Sequence, residues 1–403
     1  MRVLFTSFAW PSHYYPMAPL GWALRAAGHE VRVASTPALT ETIIQTGLPA
    51  VSVGTDIDIA GRSKRGELGD WHNEKRWPTD QDKLNAGQQT LITNIANMMF
   101  EVAGAMSGDL VDFARAWQPD LLIHDPQTFA GPVAAQALGI PSLAHMAGSP
   151  SAPGLKLQES GTPPPPGWGE LFARFGVEPR MGPSAWIDPC PPSMRKPAAA
   201  ARLSVRYVPF NAPGVEPAWL LERSARPRVC ITWGTSTVRM MSSGMTELLH
   251  QAIDAVTGLD VDVVLAVTAA TRRELGTIPP GVRVAESLPL YMLMPSCQAI
   301  VHQGGVGTAL TAALYGVPQL SVTQIPEQMI TGDVFAASGA GRHLLHNEST
   351  VERIRAHVVA LLEDQSCRDG ADRLRAEMLA MPTPAELVPD LLEAAAGHAL
   401  APR

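Results

Sequence analysis

No stretch of this 403-residue sequence approaches the roughly 20 consecutive apolar residues that a membrane-spanning helix needs. Positive charge is short as well. Lys and Arg total 31 against 38 Asp and Glu, a net charge of -7. That balance argues against nucleic acid or an anionic membrane as the main partner and leaves room for a local basic pocket. Cysteine is scarce. Cys190, Cys230, Cys297 and Cys367 stand far apart, without the paired spacing of a zinc site or a redox centre. Reduced thiols in a soluble cytoplasmic protein are the expectation. A cleavable leader is not expected either, because the apolar run over residues 2–8 stops at Pro11-Ser12-His13 without a small-residue cleavage site. Charged residues make up only 17% of the chain, which favours well-buried globular domains over disorder.

The length suffices for two domains of roughly 150–200 residues each. Strand and helix alternate from the start: strands over residues 2–8, 31–35 and 50–53, helices over 17–27 and 39–45, with Gly28 and Gly47 as helix stops. This order predicts a parallel sheet covered by helices. Residues 56–85 interrupt it as a long polar loop, followed by a helix over 87–116, a strand over 121–124, a helix over 131–137 and a strand over 140–144. Residues 150–217 are proline-rich, with Pro163-Pro164-Pro165-Pro166 marking a loop, and are expected to hold only short elements. A domain boundary is placed near residues 208–219. The rhythm then restarts with strands at 228–232, 261–267, 282–285, 299–302 and 318–323, and closes with helices near 351–362, 367–381 and 384–396.

The most informative segment is His302-Gln303-Gly304-Gly305-Val306-Gly307-Thr308. It follows a buried strand and opens a helix. Three glycines let backbone pass close to a ligand. The first helical amides have no internal partners, and with the helix dipole they form an anion site. Thr308 adds a hydroxyl, and His302 is expected to donate from its ring, with its positive form favoured by a nearby phosphate. A turn that only packs helix on sheet is the plainer alternative. The segment is not a triphosphate-binding P-loop, since no Gly-Lys-Ser/Thr ending is present. Nor is there a nicotinamide fingerprint after the first strand, where residues 7–12 contain no glycine.

His13 follows the first strand, and Asp125 follows the strand over 121–124. Ligands gather at the carboxyl ends of parallel strands, so both are placed for chemistry. A histidine can take up a proton near neutral pH, and a carboxylate on its far nitrogen would fix the tautomer and stabilise the imidazolium. The plainer readings are a solvent-facing loop histidine and an aspartate capping the turn before Pro126. His124 is more readily read as a sheet histidine.

The glycine turn with Glu327-Gln328, the opening with His13, Pro19-Leu20, Arg25-Ala26-Ala27-Gly28-His29-Glu30-Val31 and Gly54-Thr55-Asp56, and the run Asp125-Pro126-Gln127-Thr128-Phe129-Ala130 resemble the family-one inverting glycosyltransferases of GT-B fold. The resemblance is to the bacterial enzymes that add deoxysugars to polyketides such as macrolide and anthracycline aglycones. It covers both halves of the chain. Residues 62–94 and 151–209 match poorly, where such families vary with the acceptor.

The resemblance implies two Rossmann-like parallel-sheet domains facing across a cleft. Residues 1–208 would bind the acceptor and 219–385 the nucleotide sugar, with a helix in 386–403 packing back on the first domain. It implies His13 as the base that deprotonates the acceptor and Asp125 as its partner. The donor diphosphate would lie on His302, Gly304, Gly305, Gly307, Thr308, Thr235 and Ser236. Glu327 and Gln328 would grip the sugar, while Thr331-Gly332 departs from the family's frequent Asn-Ala. Ser287-Leu288-Pro289 occupies the nucleobase stretch, with Leu288 in place of the stacking Trp of plant members. Trp233 is expected beside the base, with buried packing its equal alternative.

Among Met240, Met241, Met245, Trp71, Trp77 and Phe100, acceptor contact and core packing stay open. No cofactor and no metal are expected: a thymidine diphosphate (dTDP) sugar is the co-substrate, a small hydrophobic aglycone the acceptor, and an auxiliary protein or a homodimer a further partner. A nucleotide-sugar epimerase or hydrolase on the same fold, and a non-catalytic helper, are the alternatives.

Overall fold

The computed structural model describes residues 1–69, 77–78, 83–149, 167–180, 182–197, 201–222, 224–240 and 245–398. Among the described residues, thirteen strands form two sheets, and every pairing is parallel. The first sheet contains β1 (Arg2–Thr6), β2 (Glu30–Ser35), β3 (Ala50–Ser52), β4 (Leu121–His124), β5 (Ser142–His145), β6 (Ala185–Asp188) and β7 (Arg202–Ser204), in the order β3-β2-β1-β4-β5-β6-β7. The second contains β8 (Arg228–Thr232), β9 (Asp262–Val267), β10 (Val282–Glu286), β11 (Ala299–His302), β12 (Gln319–Thr323) and β13 (Gly341–Leu345), in the order β10-β9-β8-β11-β12-β13. The central strands are short, apolar and buried throughout, as a parallel sheet covered on both faces requires.

Each strand order reverses once, between β1 and β4 in the first sheet and between β8 and β11 in the second. Such switch points open a crevice at the carboxyl ends of the strands. The loops holding His13, Asp125, Thr235 and the glycine turn leave those four strands.

The structure adds elements that the sequence pattern did not separate. β6 and β7 lie in the proline-rich segment and extend the first sheet. The segment 56–85 carries a helix, Ile59–Lys64, capped by Asp58 accepting from the Gly61 amide. Glu327 and Gln328 sit in the first turn of a helix, Pro326–Ala337. The long helix Ala86–Trp117 begins with a reciprocal capping box between Asn85 and Gln88.

The closing helix, Pro384–Ala395, buries Leu387, Val388 and Leu391 in the same core as Leu20 and Leu24 of the first domain. Each such leucine contributes about 1.5–3 kcal/mol over leaving it in water. A separate cluster joins Cys190, Met194 and Tyr207 to Ala309, Leu310 and Ala313 on the helix that follows the glycine turn. No described helix is long and apolar enough to cross a membrane.

Candidate active site

His13 lies in the short helix Pro11–Tyr14, just beyond β1. Its Nδ1 is 2.7 Å from Asp125 Oδ1, and the two side chains are 22% and 2% exposed. The other carboxylate oxygen of Asp125 accepts from the Gln127 amide at 2.9 Å and from Thr128 Oγ1 at 3.0 Å. Thr128 Oγ1 in turn accepts from the Phe8 amide at 2.8 Å, tying the loop after β4 to the loop after β1. Phe8 packs its ring 4.8 Å from that of His13. Asp125 therefore has no freedom to leave the imidazole, and Nε2 is left as the nitrogen that can exchange a proton.

Burial alone would push the His13 pKa down. The Asp125 charge, its hydrogen bond and the more distant charge of Glu327 outweigh burial, so the pKa is raised above its ordinary value. Glu327 belongs to the second domain, so its charge acts on His13 from across the cleft. His124 and His145 stay neutral. Burial lowers both, His145 to about 4, and each Nδ1 contacts the carbonyl of the following residue.

The glycine turn leaves β11 and enters the helix Val306–Leu314, with Gly305 at the N-cap. The amides of Val306, Gly307 and Thr308 begin that helix without intrahelical partners. Gly304 has φ +89, and a Cβ there would lie 2.6 Å from Thr323 Cγ2 and 3.1 Å from the Gln328 carbonyl oxygen. Gln303 fills the space between two loops: its Nε2 sits 2.3 Å from where a Cβ on Gly234 would be, and 2.6 Å from one on Gly305.

His302 does not take the role expected of it. It is fully buried, and burial lowers its pKa to about 4. The Gly304 amide donates to Nδ1 at 3.0 Å, so the ring proton is on Nε2, which faces Gln319 Oε1 at 2.9 Å. Both nitrogens are engaged, and a neutral His302 shapes the turn instead of offering a charge to a phosphate. Gln319, which also donates to the Ala309 carbonyl, escaped notice in the sequence. The available signal was an amide opening an otherwise apolar strand.

Of the two roles open to Trp233, the structure shows the buried packing one. It is 1% exposed and packs with Leu248, Ile253 and Leu265 in the core of the second domain, with no face open to a nucleobase. Leu288 is half-buried in the loop after β10, against the cluster of Leu293 and Met294. Thr235 is exposed at the end of the β8 loop.

Ser236 turns its hydroxyl across the cleft. It accepts from Trp10 Nε1 at 3.0 Å and lies 2.9 Å from Ser12 Oγ. Arg239 adds a guanidinium 4.7 Å above the Trp10 ring. Trp10, Ser12 and Arg239 were not singled out in the sequence, because only folding brings residues 226 and 224 positions apart together. Glu327 is exposed, whereas Gln328 is buried behind the turn, with its Oε1 3.4 Å from the Gln324 amide. Thr308 is nine-tenths buried.

On the first domain, Phe100, Phe129 and Trp168 form an aromatic group with centroids 5.3–6.5 Å apart. Trp77 and Met240 pack against the same core. Trp71, Met241 and the Met245 side chain lie outside the described residues. Among the described residues, no group of three His, Cys, Asp or Glu is arranged to hold a metal ion.

Two sequence profiles match the chain: the erythromycin biosynthesis protein CIII-like N-terminal domain over residues 22–234, and the C-terminal domain of the same family over residues 250–394. The chain is 38% identical over 422 residues to a 10-deoxymethynolide desosaminyltransferase of Streptomyces venezuelae, with 99% of this chain and 98% of that one covered. Its structure is similar to that of glycosyltransferase VinC in complex with dTDP, at a TM-score of 0.79 and 33% identity, over 98% of this chain and 100% of that one. It is also similar to the spinosyn rhamnosyltransferase SpnG complexed with spinosyn aglycone, at a TM-score of 0.81 and 30% identity, over 97% and 100% of the two chains.

Proposed function

The chain belongs to the erythromycin biosynthesis protein CIII-like glycosyltransferases, of GT-B fold, and from that premise we propose that it transfers a deoxysugar, with inversion, from a dTDP donor to a polyketide-type aglycone. The observation that carries the reading is the His13–Asp125 pair at 2.7 Å, held at the switch point of one sheet, with the glycine turn at the switch point of the other.

In this reading, His13 Nε2 takes the proton of an acceptor hydroxyl. The acceptor oxygen attacks the anomeric carbon. The bond from that carbon to the diphosphate breaks, and the diphosphate keeps the electron pair. Asp125 stabilises the imidazolium that results. The amides of Val306, Gly307 and Thr308, at the positive end of a helix dipole, face the growing negative charge, so the step needs no metal. Attack and departure on opposite faces invert the configuration. Glu327, exposed at the cleft, is suited to the sugar hydroxyls. The Phe100, Phe129 and Trp168 group suits an apolar acceptor.

Support for the donor comes from VinC, whose structure holds dTDP. Support for the acceptor comes from SpnG, whose structure holds a spinosyn aglycone. The test is calorimetry with dTDP, followed by a panel of deoxysugar donors and aglycones read by mass spectrometry. Binding of the nucleotide and an acceptor-dependent glycoside are the expected results. Absence of dTDP binding sinks the proposal. Free sugar released from donor alone, with no glycoside, replaces transfer by hydrolysis.

A further inference from the structure

We infer that Asn211, in the segment joining the two domains, is a positioning residue that holds the nucleobase loop in register with the diphosphate turn. The inference rests on the dTDP donor reading. It starts from a strained residue: Ala212 has φ +75, in the left-handed region that non-glycine residues rarely adopt. The two side chains before it reach to different domains. Phe210 points to the first domain, edge-on to Tyr15 at 5.1 Å and to Trp22 at 5.4 Å. Tyr15 is two residues past His13. Asn211 points to the second domain. Its Oδ1 accepts from the Tyr291 amide at 3.0 Å, and its Nδ2 reaches Thr311 Oγ1 at a long 3.4 Å.

These two partners belong to different parts of the donor site. Tyr291 is in the first turn of the helix Leu290–Leu293, directly after Ser287-Leu288-Pro289, and its amide has no partner within that helix. Thr311 donates to the Gly307 carbonyl at 2.7 Å, and Tyr207 from the joining segment donates to the same carbonyl at 3.3 Å. Gly214 completes the contact, since a Cβ there would lie 2.3 Å from Pro289 Cδ. One carboxamide thus spans the nucleobase loop and the helix that carries the turn. An amide can accept from one and donate to the other, which neither alanine nor an ionised aspartate can do. Because Phe210 anchors the same backbone beside the base, the donor site and His13 share one reference point.

The test uses the full chain. Asn211→Ala is expected to weaken dTDP binding by about tenfold in calorimetry, the scale of one lost hydrogen bond and an unpaired amide. Donor KM should rise in parallel while kcat at saturating donor stays within about threefold. Asn211→Asp keeps the acceptor for Tyr291 and should fall between wild type and Asn211→Ala. Thr311→Val, close in volume, loosens the other end, and in the double variant with Asn211→Ala the two losses should be less than additive. Should Asn211→Ala not fold, Asn211→Asp and Thr311→Val carry the same comparison. Unchanged dTDP affinity in the folded variants, or a fall in kcat with donor KM untouched, overturns the inference. Wild-type protein that binds no dTDP overturns the donor reading and this inference together, so the two failures are told apart.

Discussion

Asp125 holds His13 from the neighbouring strand, Oδ1 to Nδ1 at 2.7 Å, while its other oxygen is fixed by the Gln127 amide and Thr128. The geometry therefore fixes which nitrogen can act. It also raises the imidazole pKa against the opposing effect of burial.

The first prediction follows from that sign. A base must be neutral to accept a proton, so kcat/KM should fall as pH drops through the raised His13 value, on the alkaline side of an ordinary histidine. Asp125→Asn removes the charge that raises it. The acid limb should then move to lower pH, and the plateau rate should drop by roughly two to four powers of ten. For stability the direction is opposite. A raised histidine contributes fully below the unfolded pKa and loses that contribution as pH rises through the folded value. Asp125→Asn should therefore flatten the decline in melting temperature between weakly acidic and weakly alkaline pH. A limb that stays in place in Asp125→Asn removes the pair from the mechanism.

The second prediction separates backbone strain from the site. Gly28 and Gly304 have nearly equal angles, φ +85 and +89, but nothing lies within 4 Å of a Cβ on Gly28. Gly28→Ala should lose about 1–2 kcal/mol of stability from the left-handed backbone and keep full activity. Gly304→Ala carries the same strain and adds contact with Thr323 Cγ2 at 2.6 Å, which overpacking places at about 1–3 kcal/mol more. Since the turn must shift to relieve it, dTDP binding should be lost along with stability. Calorimetry and thermal melts on the two variants decide the matter, and equal nucleotide affinity in both would contradict it.

Much of this was legible in the sequence because it sits where short apolar strands end. β1, β4, β8 and β11 read clearly as buried runs, and each is followed within a few residues by proline or glycine (Pro11, Pro126, Gly234, Gly304), so the switch-point loops could be found without coordinates. β6, β7 and β13 could not. Ala185–Asp188 and Arg202–Ser204 are brief and embedded among prolines, and Gly341–Leu345 carries Arg342 and His343 in its middle. Residue type misled at His302, where chemistry suggested ligand contact, and left Trp233 open between ligand and core. Their partners, Gln319 in the next strand and the apolar core of the second domain, are set by tertiary packing alone.

Trp233 supplies a third prediction. Its indole N–H is buried without a hydrogen-bond partner, and its ring fills the core. Trp233→Phe should lower stability by about 1–3 kcal/mol through the smaller volume, partly offset by removal of an unsatisfied donor. Nucleotide affinity should stay within twofold of wild type. A large loss of dTDP binding at unchanged stability would falsify the packing assignment and return Trp233 to the nucleobase.

The last prediction concerns Gly332, where the resembling family frequently has alanine. In this chain a Cβ on Gly332 would lie 2.7 Å from His343 Cδ2 and 2.8 Å from Ser321 Oγ. His343 is wedged there because it links two elements: its Nδ1 is 2.9 Å from Asp333 Oδ1, and its Nε2 is 2.7 Å from Thr323 Oγ1. Thr323 backs onto Gly304, so this link supports the glycine turn from behind. Gly332→Ala must therefore displace the imidazole, and the cost of overpacking a rigid core, about 1–3 kcal/mol, should appear in the melt. Donor affinity should weaken with it, because Thr323 loses its tether. The decisive measurement is the pair of variants. With His343→Ser the ring is gone and only the Ser321 hydroxyl, which can rotate away, still meets the methyl, so Gly332→Ala should cost less on that background, and the two changes should be non-additive. Equal penalties with and without the imidazole would show that the glycine serves some other contact.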